Sequence, residues 1–472
     1  MHTRAPYTRP TVQRLSQGPV NPFRHGASPA CSEIDGVTVA DLVKQHGSPL
    51  FVYSENTLRS LYRNAHRAFT RRYEDVQFAW SYKTNHLNAI CRVFHQEGSI
   101  AEVVSGFEYE KARHNGIPGN QIIFNGPHKE KADLERAISE GAMIQVDNMD
   151  ELLVLADMAK GRREALPIAL RVHISTGGHV VWSKFGFNGD DGEVQQIIRR
   201  IIAIPQLRLI GLHTHIGTFI LDPEWYQIAT RKLVGLALEA EAMGAGPITY
   251  LNLGGGFASM ARLHYQYLPP EQVTPAVDRY AEAICDTITG MWPANRPLPR
   301  LYLETGRALV DDAGYLIASV VAVKRKSIHD PLQAALVAYG KNSAPLVAHG
   351  SQNALVLDAG INLLYTTTWY QPRIFPVKPC LDAPVPTTVY GCLCMNIDVI
   401  REEAPLPNLN TGDQVVIHPV GAYNQTQSMQ FITYRPAAVL VGQDKRVHLI
   451  RKRENLEYVQ GMEVLPAHLS GS

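Results

Sequence analysis

Lys83 closes the run VQFAWSYK, residues 76–83, in which Val76, Phe78, Trp80 and Tyr82 alternate with Gln77, Ala79 and Ser81. That period-two pattern, rich in strand formers, predicts a buried β-strand with a primary amine at its end. Such a lysine either snorkels to solvent or, where apolar surroundings disfavour its cation, serves as an amine nucleophile toward a carbonyl. Further along, HTHIG puts His213 and His215 on one strand face two residues apart, which suits a metal pair or, more commonly, two satisfied core histidines. LNLGGGF sets Gly254, Gly255 and Gly256 behind a strand, where backbone N–H groups can approach a phosphate without Cβ obstruction, although tight turns explain most triple glycines. In LYLETGR, Glu304 and Arg307 stand three residues apart at another strand end, a spacing for which a surface ion pair is the usual explanation. CLCMNID carries Cys392 and Cys394, but a Cys-x-Cys without a matching pair lacks tetrahedral ligand spacing, so no metal is expected.

Groups so far apart in the chain need a scaffold that gathers strand ends. From about residue 52 to about 312, strand-like runs alternate with helix-period segments. The runs are QFAWSY, QIIFNG, MIQVDN, IALRVHI, LIGLHTHIG, ITYLNLGGG and RLYLETG; EKADLERAISEG, MDELLVLADMAK and EVQQIIRRIIAI are among the helical segments. This rhythm implies parallel strands joined by helical crossovers. No dinucleotide fingerprint with a following acid appears, so a closed (β/α)₈ barrel is favoured over an open doubly wound sheet. In such a barrel chemistry sits at the C-terminal strand ends, where these residues fall. After about residue 313 the strands become short and broken by Pro, Gly and Asn, which predicts an antiparallel β domain. The expected division is an arm and a joining strand over 1–51, the barrel over 52–312 and the β domain over 313–472.

Composition narrows the partners. With 45% hydrophobic and 19% charged residues, the 472-residue chain can bury large cores. A net charge of +1 without charged blocks suggests neither a nucleic-acid surface nor an acidic tail. No apolar run reaches membrane-spanning length. Six cysteines and an N-terminus without a secretory pattern point to the cytoplasm. The first residues, MHTRAPYTRPTVQRLSQGPVNPFRHG, read as a loosely docked arm.

In this order the motifs resemble the fold-type III pyridoxal-phosphate decarboxylases, the family of diaminopimelate, ornithine and arginine decarboxylases, from about residue 48 to about 458. The resemblance implies an alanine-racemase-like barrel with a C-terminal antiparallel β domain. It also implies pyridoxal 5′-phosphate carried by Lys83 as a Schiff base, and an amino-acid substrate that loses its α-carboxylate. His215 corresponds to the histidine stacked on the pyridine face, and Thr218 to a hydroxyl on the phosphate. Gly254, Gly255 and Gly256 correspond to the phosphate loop, Glu304 to the acid at the pyridine nitrogen, Arg307 to the arginine near the phosphate and Tyr423 in GAYNQ to a phosphate-binding phenol. Cys394 matches the cysteine that enters from the partner subunit, which implies a homodimer with shared sites and makes Cys394 the candidate catalytic acid. These residue types also suit the chemistry: a dianion needs fixed donors, and a carboxylate that keeps the pyridine nitrogen protonated lets electrons flow into the ring.

Departures from the family pattern bear on the substrate. In YTTTWYQPR, Thr366 stands where the resemblance would put a carboxylate-binding arginine, while Tyr370 is kept and Arg373 lies on the same loop. Met395 follows Cys394 where an acid would pair with the distal amine, and a thioether cannot do so. Thr305, Phe107 and Glu102 are milder differences. Tyr370, Arg373 and Met395 are therefore the candidate substrate contacts, and a different or modified amino acid, as in a siderophore or other specialised pathway, is the expected substrate. Two alternatives are a racemase on the same barrel, against which Glu304 speaks because that resemblance would place an arginine at the pyridine nitrogen, and a non-catalytic homologue acting as a binding partner.

Overall fold

The computed structural model describes residues 29–177, 184–325 and 353–469; the arm expected at the N-terminus lies almost wholly outside them. Eight parallel strands form a closed barrel: Val76–Ser81, Ile100–Val103, Ile122–Phe124, Met143–Val146, Leu166–His173, Leu207–His213, Tyr250–Asn252 and Arg300–Thr305. Each pairs with the next in chain order, and the last closes on the first with Leu303 opposite Phe78 and Thr305 opposite Trp80. Seven of them overlap the runs read from the sequence. Ile100–Val103 does not, because four residues that include Glu102 give no periodic signal.

The two faces of Val76–Ser81 explain its role. Phe78 and Trp80 face the helical layer, where Trp80 stacks on Phe94 at 4.0 Å and Phe69 meets Phe78 edge-on at 5.8 Å. Ala79 belongs instead to a smaller cluster with Ile123, Ala169, Tyr250 and Tyr302. Large residues outside and small ones inside anchor the strand while leaving space near its end for polar groups. The preceding helix, Glu55–Thr70, starts at Ser54, whose hydroxyl accepts from Thr57 N at 3.0 Å, and buries Leu58, Tyr62, Ala65 and Phe69.

Leu50–Ser54 precedes the barrel yet belongs to the second sheet. It lies between Gly314–Arg325, antiparallel, and Ala437–Val441, parallel. Gln414–His418 also pairs with Gly314–Arg325, and Arg373–Pro376 with Gln414–His418. The sheet is mainly antiparallel, with a second parallel pair between Asn353–Leu357 and Val385–Tyr390. Both parallel pairs join strands distant in sequence, where no hairpin dictates direction. Bonds that link the second domain to the barrel's strand ends include Asn85 Nδ2 to Gly421 O at 3.1 Å, Tyr423 N to Thr84 O at 2.8 Å and Thr426 Oγ1 to Lys83 O at 2.9 Å. Among the described residues no helix is long and apolar enough to cross a membrane.

Candidate active site

A cavity of about 670 Å³ opens where the barrel's strand ends meet the second sheet. Lys83, His215, Thr218, Gly255, Gly256, Glu304, Arg307, Tyr370 and Tyr423 all line it, and Gly254 begins the same glycine turn. Arg373, Cys394 and Met395 do not line it. Arg373 is exposed and pairs with Glu271, while Cys394 is exposed on another loop.

Lys83 lies in a turn two residues past the strand, closed by a Thr84 N to Ser81 O bond of 3.0 Å. Its Nζ donates to Ser81 Oγ at 2.7 Å and makes an ion pair with fully buried Glu102. Burial works against the charge, but Glu102 and then Glu304 outweigh it and raise Lys83 above the ordinary lysine range. The expectation that apolar surroundings would disfavour the cation is thus corrected: the strand missed in the sequence delivers Glu102 to the amine. In this state Lys83 is an ammonium, and it must pass on a proton before it can act as a nucleophile.

Glu304, at the end of Arg300–Thr305, is buried with two amide donors and an imidazole gathered around one oxygen. Asn252 Nδ2 lies 2.9 Å from Oε1, Asn125 Nδ2 3.1 Å and His213 Nε2 3.2 Å. The other oxygen, Oε2, is buried without a hydrogen-bond partner among the described residues. Burial alone would raise this carboxyl, but His213 and then Lys83 outweigh it and hold Glu304 below the usual range. Asn125 and Asn252 were not singled out in the sequence, since asparagines near strand ends carry no motif. His213 ends its strand and His215 stands in the loop beyond, so the two do not share one strand face. Protein around the His215 ring pushes it down to about 3, so the imidazole is neutral.

The glycine turn is a cradle that side chains would fill. A Cβ on Gly255 would overlap the Glu304 carbonyl, and one on Gly256, at φ +99°, would overlap the Gly217 carbonyl. Across the cavity, Arg307 donates to Asp311 Oδ2 at 3.2 Å and sits among the Tyr370 and Tyr423 rings at 4.3 and 5.0 Å. Its Nε is buried without a partner. Asp311, also unmarked in the sequence, further accepts from Ser259 Oγ at 2.6 Å and Ala422 N at 3.2 Å, tying the barrel to the second sheet. The wall carries Lys83, Arg171, Lys184 and Arg307 against Glu304, an excess of positive charge suited to an anionic ligand.

Thr366 lines the cavity, but its N–H and hydroxyl both donate to Asn424 Oδ1, at 3.2 and 3.0 Å. Cys394 and Met395 occupy a loop held by buried Asp398, whose oxygens accept from Ile361 N at 2.8 Å and Leu393 N at 2.7 Å.

Residues 58–311 match the pyridoxal-binding domain of the pyridoxal-dependent decarboxylases. A diaminopimelate decarboxylase of Methanothermobacter thermautotrophicus is 29% identical over 455 residues, covering 92% of this chain and 96% of that protein. One from Bacillus subtilis is 26% identical over 463 residues, covering 94% and 98%. The fold is similar to the crystal structure of the diaminopimelate decarboxylase of Methanocaldococcus jannaschii, with a TM-score of 0.80 and 26% identity over 94% of this chain and 99% of that one. It is also similar to AQ1208 of Aquifex aeolicus, with a TM-score of 0.77 and 27% identity over 94% and 99%.

Proposed function

As the chain belongs to the pyridoxal-dependent decarboxylase family, we propose that its cavity holds pyridoxal 5′-phosphate on Lys83 and removes the α-carboxylate of an amino acid. The convergence of Lys83 and buried Glu304 on one cavity wall carries this reading. The residues fit the cofactor. The Gly254–Gly256 turn, Thr218, Arg307 and Tyr423 together provide donors for a dianionic phosphate, and unpartnered Arg307 Nε and Glu304 Oε2 are a donor and an acceptor left for a ligand. When bound, pyridoxal phosphate supplies a sink for the electron pair left on Cα as CO₂ departs. Glu304, held ionised, keeps a proton on the pyridine nitrogen. His215 presents a flat, neutral face. Glu102, in contact with Lys83 Nζ, is the base positioned to take the lysine's proton.

The same reading includes a homodimer in which Cys394 of the partner subunit completes each site and donates a proton to the product carbon. Cys394 stands exposed on a braced loop outside its own cavity, which supports that role. Mixing inactive Lys83→Ala with inactive Cys394→Ala protein under exchange conditions should restore up to about a quarter of the activity of as many wild-type sites, if subunits pair at random. Proven heterodimers without activity would rule out sharing. All six cysteines are free thiols, which supports a reducing, cytoplasmic setting.

The substrate is proposed to differ from the diaminopimelate named for the relatives. That molecule carries a distal carboxylate and ammonium, and Thr366 and Met395 match neither charge. Leaving such a pair unmatched costs on the order of 10³ or more in discrimination. CO₂ release across D-, L- and N-acylated amino acids tests the reaction. Diaminopimelate, lysine and ornithine should be poor substrates, and Thr366→Arg with Met395→Glu should raise turnover of diaminopimelate by about tenfold or more. Efficient turnover of diaminopimelate by the unaltered enzyme would refute this view of the pocket.

A further inference from the structure

One rim of the cavity is built unlike the rest. Phe219, Ala258, Ala261 and Tyr370 form an apolar cluster separate from the main core, with Leu221 and Leu263 packed against it. Phe219 has φ +56°, a left-handed conformation that is an outlier for a bulky aromatic residue, and its ring lies 5.1 Å from that of Tyr370. The rim is braced from both sides of the molecule. Leu263, from the loop after the glycine turn, forms a β-bridge with Tyr370, while Gln371 N donates to Arg262 O at 2.7 Å and His264 N to Trp369 O at 3.0 Å. Trp369 lines the cavity beside Tyr370 and is half exposed.

Negative charge is scarce at this rim, and three of the four cations among the cavity's described residues are already paired, Lys83 with Glu102, Arg171 with Asp147 and Arg307 with Asp311. Among the described residues the cavity wall has a single carboxylate, Glu304, already engaged by Asn125, Asn252 and His213. The Thr366 hydroxyl donates to Asn424. An ammonium brought here would lose water without gaining an acid. A flat apolar group would instead meet aromatic faces already in position.

We propose that Phe219, with Leu263, Trp369 and Tyr370, is the specificity-determining wall, and that the substrate is an α-amino acid with an uncharged aromatic or apolar side chain. This rests on the decarboxylase reading above and narrows its substrate class. The strained Phe219 backbone turns the ring toward Tyr370, so the clamp exists before substrate arrives.

The test is titration of the cofactor-loaded enzyme with both enantiomers of phenylalanine, norleucine, lysine and 2-aminoadipate, and with diaminopimelate, following the cofactor's absorption for binding and CO₂ release separately. Phenylalanine or norleucine should half-saturate at least about tenfold below lysine, diaminopimelate and 2-aminoadipate. Phe219→Asn, in which asparagine tolerates the left-handed backbone, should lose most of that preference while the cofactor stays bound. Leu263→Glu, which adds a carboxylate to the same wall, should move the preference toward lysine and serves if the first variant does not fold. The proposal falls if a charged amino acid binds as tightly as the uncharged ones, or if both variants fold and keep the wild-type order. The expected binding order without CO₂ from any compound would uphold the wall and refute decarboxylation; CO₂ chiefly from lysine or diaminopimelate would do the reverse.

Discussion

Lys83→Ala is expected to lower decarboxylation by at least about 10³-fold, because no other group on the wall can replace its amine. Among the described residues the cavity's only other lysine is Lys184, which is exposed at its mouth. After borohydride treatment the wild-type protein should yield a peptide around residues 76–88 bearing the reduced cofactor, and the variant should yield none. A label on Lys184 would overturn the assignment. Removing the lysine also leaves Glu102 buried beside Ser81 without its counter-charge, so part of the loss could reflect folding. Lys83→Arg separates the two effects: the guanidinium keeps a positive charge opposite Glu102 but offers no comparable nucleophile. It should therefore fold and remain inactive.

Glu304→Gln should cost on the order of 10²- to 10³-fold in turnover with the cofactor still bound, the scale of breaking a buried charge pairing. The amide can keep an oxygen toward Asn125 and Asn252, so the scaffold around Oε1 survives. What is lost is the negative charge, and with it the means to hold a proton on the ring nitrogen. Cofactor affinity measured by absorption on dilution should change far less than kcat. Equal losses in both, or full activity, would remove Glu304 from the chemistry.

How much of this was legible beforehand differs by residue. Lys83, the glycine turn, Glu304 and Arg307 end or follow runs with clear apolar patterns, and seven barrel strands were readable on that basis. Glu102 was seen as a substitution, but not as the partner of Lys83, since Glu102 breaks the apolar pattern of Ile100–Val103 and no local signal shows which side chain of the neighbouring strand meets the lysine. Asn125, Asn252 and Asp311 act through hydrogen bonds across the barrel, and no local pattern encodes a partner on another strand. Arg373 shows the opposite error: adjacency on one loop suggested a route into the pocket, but the strand Arg373–Pro376 carries it outward to Glu271.

The place of Leu50–Ser54 has a consequence for synthesis at the ribosome. All five residues are buried, and both neighbours of this strand, Gly314–Arg325 and Ala437–Val441, lie beyond the entire barrel in the chain. At translation rates of about 5–20 residues per second, the second neighbour emerges on the order of tens of seconds after the strand itself. Throughout that interval the nascent chain carries an unpaired apolar edge while the barrel assembles behind it. One of the last strands to leave the ribosome therefore covers one of the first, and a chain cut short before Ala437 would keep that edge open for good.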